Sequence, residues 1–462
     1  MAEMYTYQDL QEVGESEKDR MLFVKNAIRR HKATDLYRMA VIANEYDAQR
    51  NTTIIQYQKL LYKVTGEAIP DNYSANYKLC SNFFDRLITQ LNQYLLGNGC
   101  TWTNPETKQK LGKDFDTRVQ EAGHEALMAA AAFGFWNLDH LEVFNYREFV
   151  PLYDEENGAL ASGVRFWQVA PNKPLRATLY EIDGYTDYQF KTDGEDIILH
   201  EKRPYKIIKK ESEVDPAYIY DGENYEGFPI IPLWGNQHKQ SELVGMRENI
   251  DAYDLIKSGF CNTIDEASLV YWTISNAGGM DEIDLAQFID QMRRVHAATV
   301  NDNNAKAEAH TMDVPTASRE AILDRLRSDI YEDFMALDTK NIANGAVTST
   351  QIKAAYEPIN SKADKFEYQV LEFIQGILKI AGIDDTPTFN RSQIINTNEE
   401  IQIILQAAQY LPEEYVTKKV VSLLGDAEAL EDIQAQMDRE NYDRFTAEPE
   451  EEEEEPAAVV EE

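Results

Sequence analysis

The chain has 462 residues, with 45 Lys or Arg against 81 Asp or Glu, which gives a formal charge of −36. Apolar residues make up 43% of it, enough to build a hydrophobic core, so the composition excludes a disordered acidic protein. The length predicts two to four domains or one large elongated subunit. The negative charge argues against a protein that binds nucleic acid tightly by neutralising phosphates.

Part of the negative charge is concentrated at the C-terminal end. Residues 448–462 contain nine carboxylates and no basic residue, which predicts a solvated, disordered tail. Without this tail the chain still carries 72 acids against 45 bases, a net charge of −27. The rest of the protein is therefore acidic in its own right.

The spacing of the cysteines and the lengths of the apolar runs indicate a protein that is made in a reducing compartment and does not bind a membrane. The three cysteines, Cys80, Cys100 and Cys261, are too widely spaced for a disulfide scaffold or a cysteine zinc site. Residues 1–20 contain six acids and no apolar run, so we expect no signal peptide. The longest apolar run, residues 126–136, is shorter than the ~20 residues that span a bilayer, and we predict a buried helix there.

The N-terminal part is predicted to be helical over residues 20–65, 77–96 and 114–133. Between Lys25 and Lys63 there are eight basic residues and three acidic ones. We interpret these charges as the solvated face of an amphipathic helix. The alternative is a contact surface for an acidic partner or nucleic acid.

The sequence then changes character between residues 144 and 210. Apolar and polar residues alternate there, and the turn dipeptides Asp183-Gly184 and Asp193-Gly194 separate the alternating runs. This pattern predicts an antiparallel meander of four to six strands inserted in an otherwise helical protein. The predicted fold class is therefore mainly α with an antiparallel β insertion, an α+β protein.

Two long helices are predicted next, over residues 241–268 and 318–337. The first places residues at three- and four-residue steps, close to a heptad seam: Ile250, Tyr253, Lys257, Phe260, Ile264 and Ala267. The second carries an apolar stripe: Ile322, Leu326, Ile330 and Phe334. The segment between the helices, about 270–315, is compact and includes a short predicted helix at 285–296. The order indicates a helical hairpin with a small module at its tip.

The C-terminal part begins with a loop over residues 338–350, centred on Asn344-Gly345. A long helix is predicted over 349–381, with a kink near Pro358, because proline removes one backbone hydrogen bond and clashes with the preceding turn. A last helical block is predicted over 398–442, interrupted at Pro412.

Motifs of known chemistry do not occur in the chain. It has no phosphate-binding GxxxxGK[ST] loop, no HExxH zinc motif and no GxSxG nucleophile elbow. The acidic cluster Asp281, Glu282 and Asp284 is interpreted as a helix N-terminus rather than a metal site. We therefore expect no cofactor and no enzymatic activity. A nuclease that uses dispersed carboxylates and a metal ion stays open as an alternative.

Several short segments follow one another in a characteristic order. In this order the chain resembles the portal proteins of tailed bacteriophages, in the branch found in long-tailed phages of Gram-positive hosts. The similarity covers most of the chain, although Gly345–Thr350 departs from the small Ser-Gly-Ala patch that many members have. The segments that carry the resemblance are Phe149–Glu156, Arg165–Trp167, Trp234–Asn236, Ser241–Leu243, Ile250–Asp254 and Val314-Pro315.

The resemblance implies a ring, usually of twelve subunits, at one capsid vertex. Double-stranded DNA would be packaged and ejected through it. The implied parts are the N-terminal half of a wing (1–240), a stem helix (241–270), a clip (271–315), a second stem helix (316–337), a tunnel loop (338–350), a kinked wing helix (351–389), a crown (390–445) and the acidic tail (446–462).

The same resemblance implies which residues approach DNA and which partners bind. The tunnel loop would present Lys340, Asn341, Asn344, Gly345, Thr348 and Lys353. The stem would line the channel with Glu248, Lys257, Arg325 and Asp329, and Pro358 would mark the kink. The implied partners are the terminase large subunit, the head–tail connector, and the major capsid and scaffolding proteins. The protein would be assembled in the host cytoplasm and end at the portal vertex of the virion.

A ring of acidic subunits repels phosphates, so DNA contacts would be few and the polymer could slide. We therefore expect an acidic lumen, with Lys340 and Lys353 as isolated basic rings. A second hypothesis is an acidic scaffold or adaptor protein whose tail captures basic partners. The packaging nuclease mentioned above is the third.

Overall fold

The computed structural model describes residues 4–62, 66–72, 74–191, 195–210, 219–267, 271–275, 283, 306–310, 314–342, 349–391, 397–424 and 433. Its helices and antiparallel sheets confirm the predicted α+β class. The described residues form two compact units, each packed mainly within itself. The larger lies within 1–337 and 358–392, and the smaller within 338–357 and 393–462.

The N-terminal region contains several short helices where a longer helical region was predicted. Each begins at a residue suited to cap it; Thr34 Oγ1, for example, accepts a hydrogen bond from the Tyr37 backbone N–H. A short antiparallel strand pair, β1 and β2, follows where the prediction still had helix at 60–62. The elements are α1 (Tyr7–Glu12), α2 (Glu17–Lys32), α3 (Asp35–Asp47), α4 (Thr52–Gln56), β1 (Leu60–Tyr62), β2 (Ala68–Pro70), α5 (Phe83–Leu96), β3 (Cys100–Trp102), α6 (Pro105–Leu111) and α7 (Phe115–Ala129).

The predicted meander is confirmed as a five-stranded antiparallel sheet whose strand order follows the sequence. One face packs against α1 and α2 through a cluster that includes Leu10, Val24, Ile28, Leu152 and Leu179. The predicted turn at Asp183-Gly184 joins the third and fourth strands, while Asp193-Gly194 lies outside the described residues. The strands are β6 (Phe149–Tyr153), β7 (Leu160–Trp167), β8 (Leu175–Glu181), β9 (Gly184–Phe190) and β10 (Ile197–Arg203).

The apolar run 126–136 is buried as predicted, but the prediction of a single helix there is wrong. Helix α7 ends at Ala129, Ala130 has a φ of 83°, and residues 131–137 form a strand. This strand, β4 (Ala131–Asn137), is the centre of a three-stranded sheet with β5 (His140–Asn145) and β13 (Ile230–Trp234). A strand buried on both faces is apolar throughout, so its pattern cannot be told from that of a buried helix.

Further strand pairs interrupt the helical regions, so β structure is not confined to the predicted insertion. β11 (Lys206–Lys210) pairs with β12 (Ile219–Glu223), β14 (Tyr271–Ser275) with β15 (Lys306–His310), and β3 with β16 (Pro387–Phe389). The predicted short helix at 285–296 lies outside the described residues.

The remaining helices are close to their predicted positions: the long one has its predicted bounds, 349–381, and the two long helices before it differ by a few residues at their ends. The first starts later than the predicted residue 241, and the second ends at Phe334 because Met335 adopts a left-handed conformation with a φ of 62°. They are α8 (Arg247–Ala267), α9 (Thr316–Phe334), α10 (Thr339–Ile342), α11 (Ser349–Ala381), α12 (Thr397–Ala407) and α13 (Glu413–Leu424), with a 3₁₀ turn at Ala408–Tyr410. Residues beyond 433 lie outside the description, including the acidic tail.

Candidate functional site: the helical hairpin and the loop after it

Helices α8 and α9 pack against each other as an antiparallel hairpin. Near one end of it, Asn249 Nδ2 donates to Asp333 Oδ2 at 2.9 Å. Nearer the other end, Arg319 Nη1 donates to the Gly259 carbonyl at 3.2 Å and to Thr263 Oγ1 at 2.9 Å. These cross-helix bonds fix the register of the pair. We call the end that contains Arg247 and Phe334 the base of the hairpin, and the opposite end its distal half.

An extended segment, residues 77–81, lies along α8 from Asp254, near the base, to Asn262, in the distal half. The backbone N–H groups of alternate residues bind α8 side chains one turn apart: Tyr77 to Asn262 Oδ1 at 2.7 Å, Leu79 to Ser258 Oγ at 2.9 Å, and Ser81 to Asp254 Oδ1 at 2.9 Å. Two residues of extended chain advance ~6.6 Å and four helical residues ~6 Å, so the two repeats match.

This arrangement corrects the prediction of a helix over 77–96. The helix α5 begins only at Phe83. The three N–H groups of residues 77, 79 and 81 satisfy their hydrogen-bonding potential on α8 instead of within a helical turn, which makes the extended form stable there.

Asp254 is the centre of the polar contacts at the base. It is fully buried, and its second oxygen accepts a hydrogen bond from Asn51 Nδ2 at 2.9 Å. Asn51 Nδ2 also reaches Asp251 Oδ1 at 2.9 Å, and Tyr46 Oη donates to that same oxygen at 2.5 Å. Burial raises the pKa of the Asp254 carboxyl, while the bonds from Asn51 and Ser81 oppose the rise. Burial and the bond to Asp251 raise the pKa of Tyr46 to about 12.

The predicted heptad seam of α8 is only partly correct. Ile250 is buried, but Ile264 is half exposed, and the buried stripe continues instead through Asp254 and Ser258. On α9, Ile330 and Phe334 are buried as predicted, whereas Ile322 is 48% exposed. The sequence pattern missed Asp254, Ser258 and Asn262; their spacing of four along α8 was the available signal.

The predicted channel-lining residues lie on both helices of the hairpin. Glu248 is exposed in the first turn of α8. Lys257 is half exposed, with Nζ 5.8 Å from the centre of the Tyr253 ring. Arg325 Nε pairs with Asp329 Oδ1 at 2.9 Å along α9. Among the described contacts, nothing joins the two residues of α8 to the pair on α9.

Some residues of the predicted tunnel loop can be placed. Lys340 is exposed in α10, where its backbone N–H binds Asp338 Oδ1 at 3.0 Å, and Asn341 belongs to the same short helix. Lys353 is exposed in the first turns of α11. Asn344, Gly345 and Thr348 lie outside the described residues.

Pro358 lies inside α11, which continues through it to Ala381. The boundary between the two compact units falls between Glu357 and Pro358. The position of the proline within a helix is as predicted, and the kink stays a prediction.

The sequence analysis also missed Lys362, which joins α11 to the base of the hairpin. Its Nζ lies 2.6 Å from Glu242 Oε2 and 3.5 Å from the centre of the Phe334 ring. Burial lowers the pKa of Lys362, and Glu242 opposes this effect. The sequence signal that could have found Lys362 was a lysine on the buried face of α11, beside Ile359, Ala363 and Phe366.

The described residues offer neither a metal site nor a membrane span. Within the described ranges, no group of three or more His, Cys, Asp and Glu side chains is arranged to hold a metal ion. No helix in that same part of the chain combines the length and apolar character needed to cross a membrane. The predicted acidic cluster at 281–284 lies outside the described residues.

Comparison with known proteins gives matches over most of the chain. The portal protein of Clostridium phage phiCD119 is 22% identical over 413 residues, covering 81% of this chain and 89% of that protein. The portal protein of Bacillus phage SPP1 is 21% identical over 385 residues, covering 76% of this chain and 73% of that protein. Among solved structures, a chain from the neck of an empty gene transfer agent particle matches with a TM-score of 0.45 and 10% identity, over 74% of this chain and 90% of that one.

A family of phage proteins also matches most of the chain. The profile described as phage portal protein, SPP1 Gp6-like, matches residues 25–443. This range includes the five-stranded sheet, the hairpin, the loop after it and α11. The chain therefore belongs to the SPP1 Gp6-like family of phage portal proteins.

Proposed function

We propose that this portal protein forms a ring, of twelve subunits, that serves as the channel for double-stranded DNA at one capsid vertex. The observation that carries the proposal is the family match over residues 25–443. The anchored hairpin supports it, because helices that form a wall have to be held in place by the rest of the subunit. Here α8 is held by the buried Asp254 and by the extended segment 77–81.

The parts of the ring follow from the order of the elements. We assign α8 and α9 to the stem, residues 271–315 to the clip and 338–350 to the tunnel loop. Residues 1–240 and α11 form the wing, and the block after residue 390 forms the crown. In this arrangement the clip docks the terminase motor and then the head–tail connector, and the other partners are the major capsid and scaffolding proteins.

The charge of the chain suits a passage better than a binding site. Without its C-terminal tail each subunit carries a net charge of −27, and a ring multiplies this field around the DNA. Phosphates are repelled by such a wall, so the DNA slides with few contacts. Lys340 and Lys353, both exposed, would each form a basic ring near the loop.

The proposal is tested by light scattering after size exclusion, combined with negative-stain imaging of the purified chain. We expect annular particles of twelve subunits. We also expect duplex DNA to bind more weakly than micromolar at moderate salt. A monomer at every concentration, or tight duplex binding, would overturn the proposal. DNA nicking that depends on magnesium would indicate a packaging nuclease instead of a channel protein.

A further inference from the structure

The solvent side of α2 carries a straight row of basic residues, directly opposite the side that is buried against the five-stranded sheet. At about 100° per residue, five exposed positions that are four and three residues apart fall within about 80° of one another. The row is about 21 Å long at 1.5 Å per residue. We call it the basic stripe, and its members are Lys18, Leu22, Lys25, Arg29 and Lys32.

The charges within the basic stripe are all positive, although the chain as a whole has a charge of −36. The two carboxylates of α2, Glu17 and Asp19, lie in its first turn, about 100° to either side of the stripe. Lys25 Nζ pairs with Asp196 Oδ2 at 2.6 Å. The other three cations of the stripe form no ion pair in the part of the chain that the structure describes. Salt confines the effect of distant charges to about 8 Å, so the local potential over the stripe is positive.

At its C-terminal end the basic stripe opens into a cleft of about 350 Å³ between α2, α3 and the strands β7 and β8. Apolar groups line part of it: Lys32 Nζ lies 4.9 Å from the centre of the Phe166 ring, and Val41 is 37% exposed. Arg147 Nη2 already pairs with Glu125 Oε2 at 3.5 Å, so Lys32 is the cation available to a ligand. The charged groups of the lining are Lys32, Arg147 and Glu148.

We propose that the basic stripe and the cleft form a docking surface for an acidic helix of another protein. Its carboxylates pair with the unpaired cations of the stripe, and its apolar side chains cover Leu22, which is 56% exposed, and enter the cleft. Steps of four and three residues are those at which packed helices contact each other, so a partner helix can follow the stripe for about four turns. The inference does not depend on the ring proposed above.

A nucleic acid is the competing occupant, and the apolar side chains argue against it. Both occupants would gain from the cations. Only a protein helix also offers apolar groups that remove Leu22 and Val41 from water, and this removal is favourable. An apolar anchor that enters a pocket inside a ring of charged groups is typical of protein interfaces.

The test is the binding of a synthetic peptide to the full-length protein. The peptide is a helix of about 20 residues with Glu and Leu along one face and Ala and Gln elsewhere. Fluorescence anisotropy of the labelled peptide at physiological salt measures its affinity, and we expect a micromolar Kd. A peptide of the same composition, with Glu and Leu scattered around the helix, should bind at least about tenfold more weakly.

Two exposed positions of the basic stripe separate the ion pairs from the apolar contact. Arg29→Glu and Leu22→Asp should each raise the Kd at least about tenfold, since one replaces attraction by repulsion and the other removes an apolar contact. Arg29→Lys should keep most of the affinity. Lys379→Glu is the matched control, because it makes the same charge change at an exposed position of α11 and should leave binding unchanged. Unchanged far-ultraviolet circular dichroism and urea midpoint show that the variants are folded.

Each other outcome overturns the proposed docking surface. Peptide binding weaker than millimolar, or binding that persists in Arg29→Glu and Leu22→Asp, shows that no acidic helix docks there. A short duplex DNA that binds the wild type, is lost in Arg29→Glu and is unaffected by Leu22→Asp would assign the stripe to nucleic acid. Loss of rings in both variants would assign it to a second copy of this chain. A wild-type chain that never forms rings overturns the proposed function and leaves the peptide result in place.

Discussion

The base and the distal half of the hairpin are stabilised in different ways. At the base, Asp254, Ile330 and Phe334 are each at most 1% exposed. Asp254 binds Asn51, the cap of α4, and Ser81, and Phe334 packs under Lys362 of α11. In the distal half, Ile264 and Ile322 are 50% and 48% exposed, and Arg319 provides the polar link between the helices. The same two helices are thus part of a subunit core at one end and a surface at the other. The base is therefore packed within the subunit, whereas the distal half leaves Ile264 and Ile322 open to solvent.

The largest expected effect comes from the core of the base. Phe334→Ala removes a fully buried ring that packs under Lys362, and we expect it to lower the free energy of unfolding by about 3–5 kcal/mol. Ile322→Ala on the same helix is the control and should cost less than about 0.5 kcal/mol in the unassembled chain. Urea unfolding at low protein concentration measures both. Equal losses would contradict the distinction between base and distal half.

The polar contacts at the base should give the next largest effect. Asn51→Ala leaves Asp254 and Asp251 without one of their donors and removes the cap of α4, whose Ile54 N–H binds Asn51 Oδ1 at 3.2 Å. We expect a loss of about 1–3 kcal/mol, since buried groups are left unsatisfied. Asn249→Ala, which breaks the exposed bond to Asp333, should cost less than about 0.5 kcal/mol. If the control variant were as destabilised as Asn51→Ala, the buried network would have no special role.

The distal half should respond locally rather than globally. Arg319→Ala removes both bonds to α8, and we expect about 1 kcal/mol of destabilisation together with faster amide hydrogen exchange in residues 259–267 and 316–324. Arg325→Ala breaks only the exposed pair with Asp329 and should leave the exchange rates unchanged. Faster exchange spread over the base as well would show that the two ends unfold together.

The smallest expected effect is a pH dependence confined to the base. The folded state raises the pKa of Asp254, so the stability that this group contributes is complete below its ordinary pKa and is lost as pH rises through the folded value. The difference in stability between wild type and Asp254→Asn should therefore fall as pH rises from about 4 to 7. The urea midpoint of each, measured across this range, provides the check. A difference in stability that grows with pH would contradict a raised pKa of Asp254 in the folded state.

The sequence could predict the parts of the fold that carry a strong periodic pattern of apolar residues. The five strands from Phe149 to Arg203, the long helix α11 and the two helices of the hairpin all carry residue spacings set by their own geometry. The run 126–136 was misread because a strand with neighbours on both sides and a buried helix have the same apolar composition. The segment at 77–81 was misread because its hydrogen-bond partners lie nearly 180 residues away, on α8.

The candidate site, too, could be predicted from the sequence only in part. The order of segments was enough to indicate a portal protein, and the family match confirms it. The residues assigned to the channel and the loop stay predictions. Asp254, Asn51 and Lys362, which hold the hairpin, were not found, because a polar residue on a helix gives no sign of being buried until its partners are known.

The sequence by itself determined the acidic character of the chain, the α+β class and the order of its elements, because charge and periodicity are properties of neighbouring residues. Only the tertiary structure decided that one end of the hairpin is buried and the other is open. It did so by bringing residues 46–56 and 77–81 against α8. Burial depends on contacts between distant parts of the chain. The open groove between α8, α9 and the segments at 54–59 and 76–78 appears only when those parts are folded together.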